Sequence, residues 1–381
     1  MRRSRLTRLI QHGLLLTGAL CLTFATILFF QCYKYWAILT SNSAGWIGRV
    51  HKSDERLGYV PIPKSFGAMV LPDGTTIPVF YDSLGFRTNS EKITEPFPNS
   101  TKRSNSILGL GCSFMFGFGV QARSTFCSLT AQSLGMIPLN AGRCSYGLAE
   151  MAILARQLIA EFKPEIVLVQ YSTWLVERSQ QRYGSTFCGL LPHPYFVDES
   201  GPVLGIHKPD FESMIFSRGF AAFRTSSSSQ WALLNFAINF GFPLVFHDLW
   251  NAGLVQLRES LKLVPEPSKR TEDIVDSVYR EIASICSHSG CKMYIVVLGA
   301  NNETPDIPES LTKLDSGIIN AQLELTDRLE SNTNYEYEKS YYHWGGTPRR
   351  VIDKHPNTSA HKIIAEGITK VVREFRNGSG K

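Results

Sequence analysis

The chain has 381 residues, of which 43% are hydrophobic and 19% are charged. It is therefore long enough to bury a sizeable core, arranged in one or two domains. The net charge is +6, and part of that excess comes from four arginines among the first eight residues. Because no run of five or more Lys or Arg occurs, we expect no nucleic-acid partner.

The first predicted element is an uncharged apolar segment, Gly13 to Tyr33. A helix of this length spans the roughly 30 Å hydrocarbon core of a bilayer. Arginines precede it and an aromatic edge, Tyr33 to Trp36, follows it, which predicts a cytoplasmic N-terminus and a periplasmic or extracellular remainder. The alternative is a cleaved signal peptide, but its apolar part is usually about 7–15 residues and ends at a small-residue site. We therefore expect residues 1–39 to form a single-pass membrane anchor.

Residues 40–106 are rich in Pro, Gly and polar side chains. This composition predicts a linker followed by an irregular lead-in, with short strands near Ala68–Leu71 and Ile77–Tyr81.

From residue 107 onward, apolar strand patterns alternate with helical periods. Such alternation is typical of a parallel, doubly wound sheet. The sequence predicts a flavodoxin-like three-layer α/β domain over 107–376. Its predicted strands are Ile107–Leu110, Ile137–Asn140, Glu165–Tyr171 and Lys292–Leu298, and its predicted helices are Ser124–Leu134, Leu148–Phe162, Ile274–Cys286 and Ser359–Phe375.

An insert of about residues 176–267 interrupts this alternation. It contains a serine run and an aromatic-rich segment, Trp231 to Phe246. One interpretation is a second membrane span, but Asn235, Asn239 and Pro243 disfavour it, since polar groups in lipid are costly. We expect a helical cap on the sheet instead.

Ser113 follows the first strand of the domain through Gly111 and Cys112, with Gly117 and Gly119 beyond it. A buried strand that ends in this way delivers a hydroxyl to the carboxyl edge of a parallel sheet, where open α/β folds bind ligands. Alone the signal is weak, since a serine in this position also serves as a helix cap.

Asp353 and His355 supply what such a serine needs, an imidazole base and an acid to orient it. They lie two residues apart, just before the last predicted helix. A bland alternative is a capping loop with an exposed histidine. Two interpretations are open for His343 and Trp344, ten residues upstream: they line the site, or they belong to a surface loop, which is the interpretation we prefer.

Four segments of the chain form a set of motifs. They are Tyr81-Asp-Ser-Leu-Gly-Phe-Arg87, Gly111-Cys-Ser-Phe-Met-Phe-Gly-Phe-Gly-Val120, Leu139-Asn-Ala-Gly-Arg-Cys-Ser-Tyr-Gly-Leu148 and Asp353-Lys-His-Pro-Asn-Thr-Ser-Ala-His361. Together they resemble the SGNH (GDSL-like) hydrolase superfamily, in the membrane-anchored type associated with bacterial surface-polysaccharide modification. The likeness covers roughly residues 80–172 and 270–375.

This resemblance implies that Ser113 is the nucleophile, His355 its general base and Asp353 the residue that orients the base. It implies an oxyanion hole made by the amides of Ser113 and Ser145, with Thr173 in the third position. The chain departs from the family pattern at three places. Cys112 replaces an Asp, Ser145 stands where a Gly is usual, and the usual Asn is replaced by Thr173 or Trp174.

The resemblance implies a serine esterase or acyltransferase that acts on ester-linked acyl groups, with acetyl on a carbohydrate as the expected substrate. Polysaccharide-assembly proteins are candidate partners. The alternative is a catalytically inactive SGNH-fold protein that binds glycan or a partner in a membrane export complex. Neither metal-ligand spacing nor a phosphate-binding loop is present, so we expect no metal and no cofactor.

Overall fold

The computed structural model describes residues 12–26 (with gaps at 14 and 24), 46–89 (without 49), 105–186, 189–198, 204–209 and 268–378. Two compact units divide the chain, and nearly all described residues belong to the unit made of Asn42–Asp210 and Pro265–Lys381.

The lead-in is a small β module. Its strands are β1 (Trp46–Ile47), β2 (His51–Asp54), β3 (Gly58–Pro61), β4 (Phe66–Val70), β5 (Thr76–Tyr81) and β6 (Arg87–Thr88). β1, β4, β5 and β6 form an antiparallel sheet in the order β1-β4-β5-β6, and β2 pairs with β3 as a hairpin. The two strands expected here are confirmed, whereas the irregular character expected between residues 46 and 89 is wrong, because alternating apolar side chains bury a core of their own.

The α/β domain follows. Its first half contains β7 (Ser106–Leu110), α1 (Ser113–Phe116), α2 (Phe126–Ser133), β8 (Ile137–Asn140), α3 (Leu148–Phe162), β9 (Ile166–Tyr171) and α4 (Thr173–Ser179). After the insert come α5 (Thr271–Ser289), β14 (Lys292–Val297), α6 (Glu309–Thr312), β15 (Gly317–Asn320), α7 (Ala321–Thr326), α8 (Asn334–Tyr341), β16 (His343–Gly345), β17 (Arg350–Asp353) and α9 (Thr358–Gly378).

Five parallel strands make the central sheet, in the order β15-β14-β9-β7-β8. Numbered along the chain within this sheet, the order is 2-1-3-4-5, which is the flavodoxin-like order with its switch point beside the first strand. The predicted flavodoxin-like α/β sheet is therefore confirmed. The fifth strand, Gly317–Asn320, was not predicted, since it is short and only one of its residues is buried.

Each face of the central sheet buries its own core, because successive strand residues point to opposite sides. Leu108, Val167 and Ile295 face the side covered by α3 and α5. Ile107 and Leu168 face the other side, where α2 and α9 pack. Both faces are covered, and for this reason apolar side chains occupy both sides of the strands instead of only one.

The described part of the insert is β-structure. Two hairpins occupy it, β10 (Tyr183–Thr186) with β11 (Gly189–Pro192) and β12 (Tyr195–Asp198) with β13 (Leu204–His207). The expectation of a helical insert is therefore wrong for residues 183–186, 189–198 and 204–207, where aromatic and β-branched side chains favour strands. The aromatic segment 231–246 lies outside the described residues.

At the N-terminus, described residues 15–23 are helical. Most of the second half of the predicted anchor lies outside the described residues. Where the structure describes the chain, no helix combines the length and apolar character that crossing a membrane requires.

Candidate active site

Ser113 lies at the carboxyl edge of the central sheet, at the first position of α1, and is 6% exposed. The chain turns into α1 through Gly111. A Cβ atom at this position would lie 2.6 Å from the Gln170 Oε1 atom, so only glycine fits so close to β9. The turn therefore presents the hydroxyl at the β7 edge, next to the topological switch point.

His355 and Asp353 meet Ser113 at this edge. The Ser113 Oγ atom lies 2.9 Å from His355 Nε2, and His355 Nδ1 lies 2.7 Å from Asp353 Oδ1. The same Oδ1 atom accepts the backbone N–H of His355 at 2.8 Å. Ser113 lies at least 240 positions before Asp353 and His355 in the sequence, yet the three residues form one continuous hydrogen-bonded chain. Its geometry is the one that a nucleophile, its base and an orienting acid require.

The electrostatics of the site keep the acid ionised. Burial works to raise the pKa of Asp353, but the hydrogen bonds and charge of His355 outweigh it and hold this pKa below its usual range. An ionised Asp353 favours the tautomer in which Nδ1 carries the proton and Nε2 is free to accept from the serine hydroxyl.

Aromatic side chains surround the imidazole. Phe118 lies 4.7 Å from the His355 ring and Phe114 lies 5.7 Å from it, measured between centroids. Trp174, which replaces the usual Asn or its neighbour, packs edge-on against Phe114 at 5.1 Å. All three are half-buried, so they leave apolar surface beside the serine.

A buried amide network fixes the backbone just before Ser113. Gln170 Oε1 accepts the Cys112 N–H at 3.1 Å, and Gln170 Nε2 donates to Ser172 Oγ at 3.0 Å. Ser172 Oγ in turn donates to the Leu298 carbonyl at 2.7 Å. Cys112 thus takes part in this network through its backbone and its thiol, and no carboxylate is needed in its place.

Arg87 holds the C-terminal end of α1. Its guanidinium is 4% exposed and donates to the carbonyls of Phe116, Gly117 and Val120. These carbonyls belong to the turn that follows Ser113, where a helix leaves backbone acceptors without partners. The last residue of the Tyr81–Arg87 motif therefore supports the turn that carries Ser113, a role that the sequence did not reveal.

Ser145 and Thr173, two of the expected oxyanion-hole residues, differ in their burial and backbone conformation. Ser145 is half-buried and has a left-handed backbone, with φ of 65°. That conformation explains why glycine suits the position and shows that serine can adopt it. Thr173 is the first residue of α4 and is exposed, and no hydrogen bond joins its hydroxyl to Ser113 or His355 in the part of the chain described.

His343 lies next to Asp353 and is not part of an exposed surface loop. It pairs with Asp353 across the β16–β17 ladder, and its ring contacts the backbone of Gly119, where a Cβ atom would lie 2.4 Å from Nε2. Burial lowers the pKa of His343, and the neighbouring His355 lowers it further. The surface-loop interpretation of His343 is therefore wrong.

Among the described residues, no group of His, Cys, Asp and Glu side chains could hold a metal ion.

No family model and no curated protein matches this chain. Among solved structures, it is similar to a putative lipolytic protein of the G-D-S-L family from Desulfitobacterium hafniense, with 9% identity, TM-score 0.33, and coverage of 71% of this chain and 99% of that one. It is also similar to the psychrotrophic esterase EstA from Pseudoalteromonas sp., with 12% identity, TM-score 0.34, and coverage of 72% and 99%.

A third similar structure is a carbohydrate esterase family 2 enzyme with a carbohydrate-binding domain from Corynascus thermopiles, with 11% identity, TM-score 0.30, and coverage of 73% and 68%. In its motifs, its strand order and its linked Ser113, His355 and Asp353, the chain resembles the SGNH (GDSL-like) hydrolase superfamily.

Proposed function

We propose that this protein is an SGNH-type serine esterase that forms an acyl-enzyme on Ser113. The observation that carries the proposal is the hydrogen-bonded chain from Ser113 Oγ through the His355 ring to Asp353 Oδ1, with distances of 2.9 and 2.7 Å. A serine is a weak nucleophile without such a base, and the contact already has the length that proton transfer needs.

In the proposed reaction, the Ser113 oxygen attacks the carbonyl carbon of an ester while His355 Nε2 takes the hydroxyl proton. Negative charge collects on the carbonyl oxygen, which the amides of Ser113 and Ser145 stabilise, with Thr173 as the third candidate donor. The tetrahedral species collapses as His355 returns the proton to the leaving alcohol. A second acceptor, activated by the same imidazole, then releases the acyl group and frees the serine.

We propose an ester-linked acyl group, with acetyl on a carbohydrate, as the substrate class. Water as the second acceptor gives an esterase, and a sugar hydroxyl gives an acyltransferase. The half-buried aromatic rings of Phe114, Phe118 and Trp174 support this class, since apolar walls beside the serine suit a small acyl group and the apolar face of a sugar. Polysaccharide-assembly proteins stay candidate partners.

We propose that residues 1–39 anchor the protein in a membrane, with the N-terminus cytoplasmic and the α/β domain on the periplasmic or extracellular side. Leucines of the described helical residues are 62–71% exposed. Thr17 and Thr26 donate their hydroxyls to carbonyls four residues earlier, at 2.9 and 2.8 Å. This satisfies side-chain polar groups within the helix, as lipid requires.

A second candidate is a catalytically inactive protein of the same fold that binds glycan or a partner in an export complex. One observation favours it: the exposed hydroxyl of Thr173 stands where an oxyanion-hole amide is expected and contacts neither Ser113 nor His355. Loss of one such donor costs about 10²–10³-fold in turnover.

Labelling of the full chain with a fluorophosphonate probe separates the two candidates. We expect covalent labelling that disappears in Ser113→Ala and in His355→Ala, together with hydrolysis of p-nitrophenyl acetate that the same variants lose. Thr130→Ala, a change of another buried hydroxyl on α2, is the matched control and keeps both signals. A folded protein that neither labels nor hydrolyses the ester supports the inactive candidate.

A further inference from the structure

The peptide that joins Cys144 to Ser145 is tied to the lead-in module. The Tyr59 hydroxyl, on β3, donates to the Cys144 carbonyl. Tyr59 is 2% exposed, and burial raises the pKa of its hydroxyl well above the usual value, so it stays a neutral donor. The residues concerned are 85 positions apart in the chain.

This contact bears on the oxyanion hole because of peptide geometry. The Cys144 carbonyl and the Ser145 N–H belong to one planar, trans peptide unit, in which the C=O and N–H bonds point in opposite directions. A hydrogen bond that holds the carbonyl toward β3 therefore aims the Ser145 N–H away from β3. The bond also polarises the peptide, which makes its N–H a stronger donor.

We propose that Tyr59 is a positioning residue for the Ser145 amide, so that the N-terminal β module is a working part of the active site. The inference rests on the proposed function, in which this amide stabilises the oxyanion. Tyr59 does not touch the substrate. It fixes the plane of a peptide that does.

The surroundings make Tyr59 a rigid support. Tyr146 donates its hydroxyl to the Tyr59 carbonyl at 2.5 Å, and the two rings pack edge to face at 5.3 Å. On the other side of the loop, Arg143 donates to the Gly85 carbonyl at 2.6 Å and its backbone N–H donates to the Gly111 carbonyl at 3.1 Å. The loop is thus held between the lead-in and the nucleophile strand.

The backbone of Ser145 adds a reason for this support. Its φ of 65° lies in the left-handed region, which is strained for a residue that has a Cβ atom. Such a residue keeps its conformation only when its neighbours fix it. Tyr59 supplies that constraint one residue before the strained position.

The test compares Tyr59→Phe with Tyr341→Phe in the full chain. Tyr341, on α8, is 4% exposed, and its hydroxyl donates to the Leu325 carbonyl at 2.8 Å. Each variant removes one buried hydroxyl and keeps its ring, but only the first removes the bond to the Cys144 carbonyl. For Tyr59→Phe we expect kcat for p-nitrophenyl acetate to fall about 10- to 100-fold with KM within twofold, because the affected interaction strengthens in the transition state. Fluorophosphonate labelling should slow in parallel. Tyr341→Phe should keep kcat within about threefold.

Equal kcat values in the two variants, with an active wild type, would overturn the positioning role and leave the esterase intact. A wild type that neither labels nor hydrolyses the ester removes the proposed function and this role with it. Where Tyr59→Phe does not fold, 3-fluorotyrosine at position 59 keeps the ring and provides a stronger donor. It should raise kcat about two- to fivefold, and an unchanged kcat would overturn the role.

Discussion

Replacing Asp353 by Asn tests the candidate site most directly, because the hydrogen bonds of Asp353 show which interactions the substitution keeps and which it removes. Asp353 Oδ1 accepts both the backbone N–H and the ring Nδ1–H of His355. An asparagine has one acceptor oxygen, and placing it at the Oδ1 position satisfies both donors. The imidazole tautomer is therefore preserved, and what the variant loses is the negative charge.

The expected loss of kcat follows from the removal of that negative charge. His355 becomes an imidazolium when it takes the serine proton, and opposite charges about 4 Å apart attract by about 4 kcal/mol at an effective dielectric constant near 20. The Asp353 side chain is 16% exposed, which suits this value. The ground state has a neutral ring and gains little, so the loss falls on kcat. It amounts to about 10³-fold, less than the roughly 10⁴-fold loss when the tautomer also changes.

The assay is hydrolysis of p-nitrophenyl acetate by the full chain, with kcat and KM measured separately. Asp315→Asn is the matched control, since that carboxylate is 94% exposed and pairs with Lys292 at the surface. We expect the control to keep wild-type kcat. A kcat for Asp353→Asn within about threefold of wild type would refute the idea that an ionised Asp353 stabilises the imidazolium.

Further predictions concern stability. Arg87→Lys cannot reach all three carbonyls and should lower the free energy of unfolding by about 2–4 kcal/mol in denaturant titrations, with a loss below 1 kcal/mol contradicting its role. Gly119→Ala places a Cβ atom 2.4 Å from His343 Nε2 at a φ of 85°, so the midpoint of thermal unfolding should fall, by an amount equivalent to about 1–3 kcal/mol; an unchanged midpoint would contradict the contact. Burial lowers the pKa of His361 to about 3, so below pH 6.5 the unfolded chain binds a proton that the folded chain does not. This histidine therefore stabilises the fold fully above pH 6.5, and its contribution falls by about 1.4 kcal/mol per pH unit down to about pH 3. In His361→Gln, the slope of the unfolding free energy plotted against pH should be smaller by that amount between pH 7 and 5. A slope equal to that of the wild type would contradict this prediction.

Much of the α/β domain was predictable because its signals are local. Leu148–Phe162 and Ile137–Asn140 match the predicted bounds residue for residue. Their apolar periods of 3.6 and 2 belong to the elements themselves and need no knowledge of neighbours. The Ser113 and Asp353-x-His355 motifs are equally local, and their order along the chain allowed them to be paired before any distance was known.

The predictions that the structure corrected share one cause, because each concerns a feature that depends on contacts between residues distant in the sequence. The lead-in resembled a linker because its strands are short and rich in turn residues, and only pairing between them and packing against Phe116 make them a sheet. The described part of the insert forms hairpins where helices were expected, since hairpin pairing is non-local. His343 was assigned to a surface loop because no periodic pattern in the sequence indicates which loops lie close to Ser113, His355 and Asp353.

The sequence alone determined the alternation of four strands with four helices in the central domain and the residues of the hydrogen-bonded chain, because periodicity and motif spacing are written residue by residue. Only the tertiary structure decided that Arg87 supports the turn that carries Ser113 and that Tyr59 holds the Cys144 carbonyl. Each of these contacts joins residues at least 29 positions apart. Such contacts depend on how separate elements pack, and no local pattern of side chains encodes that.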